Sequence, residues 1–412
     1  MRKIADKWLR DVLSLLYRRK TLTRGEMVEA TRLNVASVSR TLGQLLRCGT
    51  VIRVGELESS GGRKPDLFEL NGDAGYFVAI DLAATRIRFG IVDLGGDIRH
   101  WWEEEVEFGQ KLETLRLIDG VRRILRCLTV KERGRVLSVG ISCPGIIEED
   151  AITAVNLGWR RFPLVRAMRQ AIRLPITLEQ DYRIGVFAEH WLGSAQNVQN
   201  CLYVIIGDGI GVGSIVDGHV LEGRGGMAGE FGHITIDRQA EDPCNCGKTG
   251  CLEAISSGPH IVRQYLERLG QRAARKPQMR VVEVFERARS GDAAATAVID
   301  RAARHLGWGL SHLVNVMNPE LILLGGDIVD GSDLILPIIN EELRQLCLPA
   351  LVRDLRVQVS SLGPDIGLKG AALVAFRSLL SNSSLLKRLV CLQPSPSKSE
   401  SADHLALPAI AE

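Results

Sequence analysis

The chain has 412 residues, 45% hydrophobic and 25% charged, with a net charge of +3, a length that exceeds one ordinary core and points to two or three domains. No stretch approaches the roughly 20 uninterrupted apolar residues of a membrane helix, and the N-terminus alternates charged with apolar residues, which argues against a signal peptide and for a cytoplasmic protein with no membrane partner. Six of the nine cysteines (Cys48, Cys127, Cys143, Cys201, Cys347 and Cys391) are scattered without a pairing pattern, which fits reduced thiols in a reducing compartment better than a disulfide framework.

The charge is unevenly spread. Residues 1–70 hold 14 Lys and Arg against 8 Asp and Glu, a net +6, so the remainder is slightly acidic. A basic segment on such a body suggests a nucleic-acid module joined to something else. From Ala5 to Arg19, Trp8, Leu9, Val12, Leu15 and Leu16 recur at helical spacing. Thr23 and Glu26 form a capping box that opens a second helix, and Asn34 is a suitable N-cap for a third that stops at Gly49. The short connection from Thr31 to Asn34 makes the pair a helix-turn-helix. On the third helix Val35, Val38, Leu42, Leu45 and Leu46 are expected to face inward, leaving Ala36, Ser37, Ser39, Arg40 and Gln44 for the major groove of double-stranded DNA. VIRV and LFEL follow as a strand, loop, strand wing whose Arg63 and Lys64 would reach phosphates or a minor groove. A three-helix protein-interaction head is the competing reading of this region.

A composition change at Asn71 to Gly75 marks a domain boundary. From Tyr76 two apolar strands flank a turn at Leu82 to Thr85, and the pattern returns from Cys201 with Gly207, Gly209, Gly211 and Gly213 in its turn. The repetition implies an internally duplicated, two-lobed α/β body with a cleft between the lobes. Such glycines either cradle phosphate or only satisfy turn geometry. VLSVGISCPG reads as a buried strand, and LPITLEQDYRIGVFAEHWLG as a strand running into a helix with Asp181 at the junction. A carboxylate there can hold a sugar hydroxyl, act as a general base or cap the helix, and its position alone favours the cap.

The densest chemistry lies between Glu230 and Glu253. Cys244, Cys246 and Cys251 stand in Cys-x-Cys-x4-Cys spacing, with His233 eleven residues upstream. Four such side chains suit a tetrahedral structural zinc, and Gly247 and Gly250 allow the tight reversals of a knuckle. Residues 280–316 read as helical, ELILLGG as a buried strand, and the polar Ser/Pro-rich segment 392–412 as a disordered tail.

Together these residues resemble the ROK family, named for repressor, open reading frame and kinase. The resemblance spans about residues 10–376. It is carried by AGEFGH (Ala228 to His233) and CNCGKTGCLE (Cys244 to Glu253), with the GGRKP wing, the CPG turn and Asn156-Leu157-Gly158-Trp159. Gln180-Asp181, Ala188-Glu189 and NPELILLGGDIV (Asn318 to Val329) complete it. It implies a winged helix-turn-helix over 1–72, then an actin-like, two-lobed ATPase (sugar kinase) fold over 73–391, assembled as a homodimer or homotetramer. By the same resemblance Asp181, Glu230, His233 and Glu253 hold a sugar or sugar phosphate, with Asn156 and Gly158 nearby. Gln180 stands where the kinases have Asn, and His233 presents one nitrogen to zinc and the other to the ligand.

The family divides into sugar kinases and sugar-responsive regulators. Its kinases carry Asp-x-Gly-Gly-Thr and Gly-Thr-Gly, where this chain has Asp81-Leu82-Ala83-Ala84-Thr85 and Gly207-Asp208-Gly209. Two methyl groups and a carboxylate at the phosphate turns mean that ATP and Mg2+ are not expected as cofactors. The chain therefore reads as a sugar-responsive, DNA-binding repressor. The rivals are an ATP-dependent sugar kinase with a DNA-binding head, in which Asp181 is the catalytic base, and a body that answers to a sugar-transport protein.

Overall fold

The computed structural model describes residues 2–57, 64–106, 112–148, 151–240, 243–271 and 279–391. Arg63 and the segment 392–412 therefore lie outside the described residues. Three helices open the chain: α1 (Arg2–Arg19), α2 (Arg24–Thr31) and α3 (Val35–Arg47). The second starts on the expected capping box. The Thr23 hydroxyl accepts the Glu26 N–H at 3.2 Å, and the Glu26 carboxylate accepts the Thr23 N–H at 2.7 Å. Asn34 caps α3 by accepting the Ser37 N–H at 2.8 Å. Strands β1 (Leu22–Thr23), β2 (Val51–Glu56) and β3 (Asp66–Leu70) form an antiparallel sheet in the order β1-β3-β2, with β2 and β3 as the wing. Helices and wing together make a winged helix-turn-helix.

Two five-stranded sheets build the body. The first takes β4 (Tyr76–Leu82), β5 (Arg86–Asp93), β6 (Ile98–Glu105) and β7 (Val136–Cys143). A small sheet of β8 (Ile146–Glu148), β9 (Ala151–Ala154) and β10 (Trp159–Phe162) intervenes before the fifth strand, β11 (Ile176–Gln180). The second sheet takes β12 (Cys201–Ile206), β13 (Ile210–Val216), β14 (His219–Val220), β15 (Leu321–Gly325) and β16 (Arg356–Val359). Their orders, β11-β7-β4-β5-β6 and β14-β13-β12-β15-β16, are the same pattern. In each, three strands run as an antiparallel meander and two more add in parallel beside the first. The expected duplication is thus present at the level of topology. Every residue of β7 is buried, Ser138 and Ser142 included, as a strand in the parallel half of a sheet covered on both faces requires.

The helix Ile366–Ser381 lies on β4 and β7, the helix Asp181–Leu192 on β12 and β13, and the two helices pack on each other between the lobes. They approach closely at Gly370, where an added Cβ would sit 2.2 Å from Ile184. The head is not set apart from this body. Leu13, Leu16, Tyr17, Met27 and Leu42 belong to the same buried cluster as Phe77, Leu137, Phe376 and Leu389, and Tyr17 stacks on Phe376 with ring centroids 4.3 Å apart. The boundary near residue 72 is a point in the chain and does not divide two cores.

Two expectations for α3 are corrected. Val35 is 61% exposed and Leu46 also faces outward, whereas Ser37 is only 6% exposed. The buried arc is Ser37, Val38, Thr41, Leu42 and Leu45. At about 100° per residue Val35 falls a quarter-turn from the centre of that arc, so apolar character alone does not draw it inward. Among the described residues, no helix is long and apolar enough to cross a membrane.

Candidate functional site

The segment after β13 folds back on itself through isolated bridges between Thr235 and Cys251 and between Pro243 and Thr249. Gly247 (φ 89°) and Gly250 (φ 70°) make the reversals, and a Cβ on Gly250 would lie 1.8 Å from the Asp237 carbonyl oxygen. This turn brings the His233, Cys244, Cys246 and Cys251 ligand atoms within 4.8 Å of one another. His233 Nδ1 is 3.6 Å from Cys244 Sγ, and the Cys246 and Cys251 sulfurs are 3.7 Å apart. Tetrahedral bonds of about 2.3 Å place two sulfurs about 3.8 Å apart, so the spacing fits a metal held by three thiolates and an imidazole.

The same imidazole faces a second group. His233 Nε2 lies 3.8 Å from Glu230 Oε2, and Glu230 Oε1 accepts the Tyr182 hydroxyl at 3.2 Å. Glu253, buried at the start of the helix Leu252–Ser256, accepts the Ile210 N–H at 3.0 Å with one oxygen and lies 3.8 Å from Cys244 Sγ with the other. Burial pushes the Glu253 carboxyl up. Across the cleft, Gly158 (φ 69°) closes the turn Val155–Leu157, and Asn156 Oδ1 accepts an N–H of Asn245, between two of the cysteines, at 3.3 Å. The cysteine knuckle of the second lobe thereby touches the first.

Asp181 stands at the end of β11 as the first residue of its helix, with Gln180 in the cap position. The cap reading is therefore corrected by one residue. The Asp181 carboxylate accepts the Tyr182 N–H at 2.7 Å instead of closing the helix start. Its carboxyl is pushed up to about 7, first by burial and then by the charges of Asp81 and Glu230. Gln180 donates to the Gly145 carbonyl at 3.1 Å, and its Oε1 is buried with no partner among the described residues. The extra methylene relative to Asn carries this amide back to the turn after β7.

The turns of the two hairpins face each other. Thr85 donates its hydroxyl to Asp208 Oδ2 at 3.4 Å, from one lobe to the other. Asp208 is pushed up to about 6, by burial and then by Asp327. Ala84 is buried, Ala83 half-buried, and Gly207 and Gly209 flank the aspartate. Asp81 lies against Gly367, where an added Cβ would be 2.2 Å from the carboxylate carbon.

On the head, Ala36, Arg40, Gln44 and Lys64 are exposed and Ser39 is half-buried. Ser37 is withdrawn from this surface by burial, and Arg63 lies outside the described residues. Sequence reasoning missed three residues. Arg47 is exposed on the outer side of α3, while Tyr182 and Asn245 link the cluster to Asp181 and Asn156. Their only signal is adjacency, to Asp181 in one case and to two cysteines in the other.

A winged helix-turn-helix on a two-lobed, actin-like body of the sugar-kinase kind defines the class. The ROK family model matches residues 77–378, and the chain belongs to that family. It is 32% identical over 310 residues to a glucokinase of Halalkalibacterium halodurans, covering 72% of this chain and 93% of that protein. A xylose repressor of Caldicellulosiruptor bescii is 29% identical over 382 residues, 90% of this chain and 95% of the repressor. The crystal structure of a ROK family transcriptional regulator, a homolog of the E. coli MLC protein, superposes with a TM-score of 0.75 at 25% identity, covering 94% of this chain and 100% of that one. The likeness to the two regulators is too long to omit the head.

Proposed function

We propose that the chain is a sugar-responsive, DNA-binding transcriptional repressor. The observation that carries this reading is the pairing of a winged helix-turn-helix with a cleft whose two phosphate turns meet each other through Thr85 and Asp208. A carboxylate between those turns repels the phosphates of a nucleotide. The repressor relative and the regulator structure, both of which extend over the head, support the same assignment.

Zinc, held by His233, Cys244, Cys246 and Cys251, would supply no step of its own beyond fixing the imidazole's orientation and tautomer. Glu230, His233, Glu253 and Asp181 then receive the hydroxyls of a sugar or sugar phosphate, with Asn156, Gly158 and Gln180 at the edge of the cleft. Ala36, Ser39, Arg40, Gln44 and Lys64 face the operator. Because the head shares its core with the body, closure of the lobes on the sugar tilts the recognition helices of a homo-oligomer and spoils their half-site spacing. Duplex binding measured with and without a panel of pentoses, hexoses and their phosphates tests this. Release by one sugar is expected, and affinity unchanged by a sugar that demonstrably binds overturns it.

One observation favours a second reading. Asp181, with its carboxyl at about 7, has the properties of a base for a sugar hydroxyl, and the glucokinase likeness covers 72% of this chain. Sustained turnover of Mg-ATP and a hexose, abolished by Asp181→Asn, would establish a kinase. Operator release that needs a protein in place of a sugar would instead indicate a transport partner.

A further inference from the structure

Arg40 and Arg47 lie exposed near the middle of the outer side of α3, and the helix contains no acidic residue. Val35 lies at one border of that side, 61% exposed at the first helical position. Folding does not explain it there, because the neighbouring core of the head is closed by Val38, Leu42 and Leu45 without it. The cap bond from Asn34 holds this first turn in place, so Val35 projects from the part of a recognition helix that meets base edges. The major groove offers one apolar group to an aliphatic side chain, the thymine C5 methyl, and no hydrogen-bond partner is lost when the two pack together.

We infer that Val35 packs on the methyl group of a thymine in the major groove, so that the operator carries a thymine at one set position of each half-site. Arg40, across the helix, takes a guanine edge or a phosphate and fixes the register in which that contact is made. The inference rests on the DNA-binding reading above. It goes beyond it by naming the base and the side chain that selects it.

The test uses the full chain and duplexes selected from a random-sequence library. Each thymine of the tightest duplex is replaced in turn by uracil, which lacks only the methyl. At one position per half-site this is expected to weaken wild-type binding about three- to five-fold, as loss of one buried methyl implies. With Val35→Ala the penalty at that position falls below about two-fold, while Val35→Thr, which keeps one methyl, retains part of it. Both variants should melt as the wild type does, since the side chain is exposed. A Val35→Ala protein with undiminished uracil sensitivity overturns the inference, as does a selected operator in which no thymine methyl matters. Failure to select any duplex removes the DNA-binding reading itself, and this inference with it.

Discussion

His233 joins the two chemistries of the cleft, with Nδ1 toward Cys244 and Nε2 toward Glu230. If the metal orients that ring, Cys246→Ser should lower bound zinc from about one per chain to near zero in elemental analysis and weaken sugar binding more than ten-fold by calorimetry. Loss of metal with normal sugar affinity would make the cluster a clip and nothing more. Asp181 supplies a pH-dependent counterpart. Its carboxyl sits at about 7 in the folded protein and near 4 in an unfolded chain. Between those values the native state keeps a proton that the unfolded state releases, so stability falls as pH rises through the window. Asp181→Asn, whose amide oxygen can still accept the Tyr182 N–H, should unfold like the wild type near pH 4. At pH 8 it should be more stable by an amount of the order of 2 kcal/mol in urea titrations. The cysteine spacing made the candidate metal cluster legible, because a short loop with two glycines can close only locally. Tyr182 and Asn245 were not legible, since their partners Glu230 and Asn156 are distant in sequence.

At the scale of elements, the signals that proved legible are those satisfied within one turn. The Thr23–Glu26 box and the Asn34 cap use donors three residues away, and both form as expected. Asn34→Ala is expected to cost about 1 kcal/mol, to fray the start of α3 and to weaken duplex binding while sugar affinity is unchanged. Band-shift and calorimetric titrations of the same preparation check this. Which side of α3 faces out was less legible. Hydrophobic identity placed Val35 and Leu46 inside, but a helix buries only the arc its neighbours can reach, and that arc includes Ser37. Across the cleft, the Thr85–Asp208 bond joins two hairpins whose turns were visible in sequence as separate units. Asp208→Asn is expected to leave the protein unable to turn over ATP, because Ala83 and Ala84 still crowd the first turn. A measurable hexokinase rate in that variant would show that one charge was the whole obstacle.

For the whole molecule, the consequential contact is the seam between head and body. Tyr17 is fully buried and stacked on Phe376. Tyr17→Ala should therefore cost about 3–5 kcal/mol and lower the stability of the entire chain in one cooperative transition. Differential scanning calorimetry decides it, since an independent head would instead produce a separate early transition. A chain beginning at residue 73 would leave Phe376 without the Tyr17 ring that stacks on it, and is expected to aggregate.

The sequence by itself determined the helix starts, the wing, the duplicated hairpins and the cluster of His233 with three cysteines that could hold a metal, because each depends on residues within one short stretch of chain. It also carried the family, through motifs that survive as short strings. Only the tertiary structure decided that Ser37 is inside and Val35 outside, that Gln180 bonds to Gly145, and that Thr85 reaches Asp208. It likewise decided that the core of the head runs on into that of the body. Each of these depends on distant segments meeting. Which side chains meet is set by the packing of two lobes around paired helices, and no local pattern encodes that.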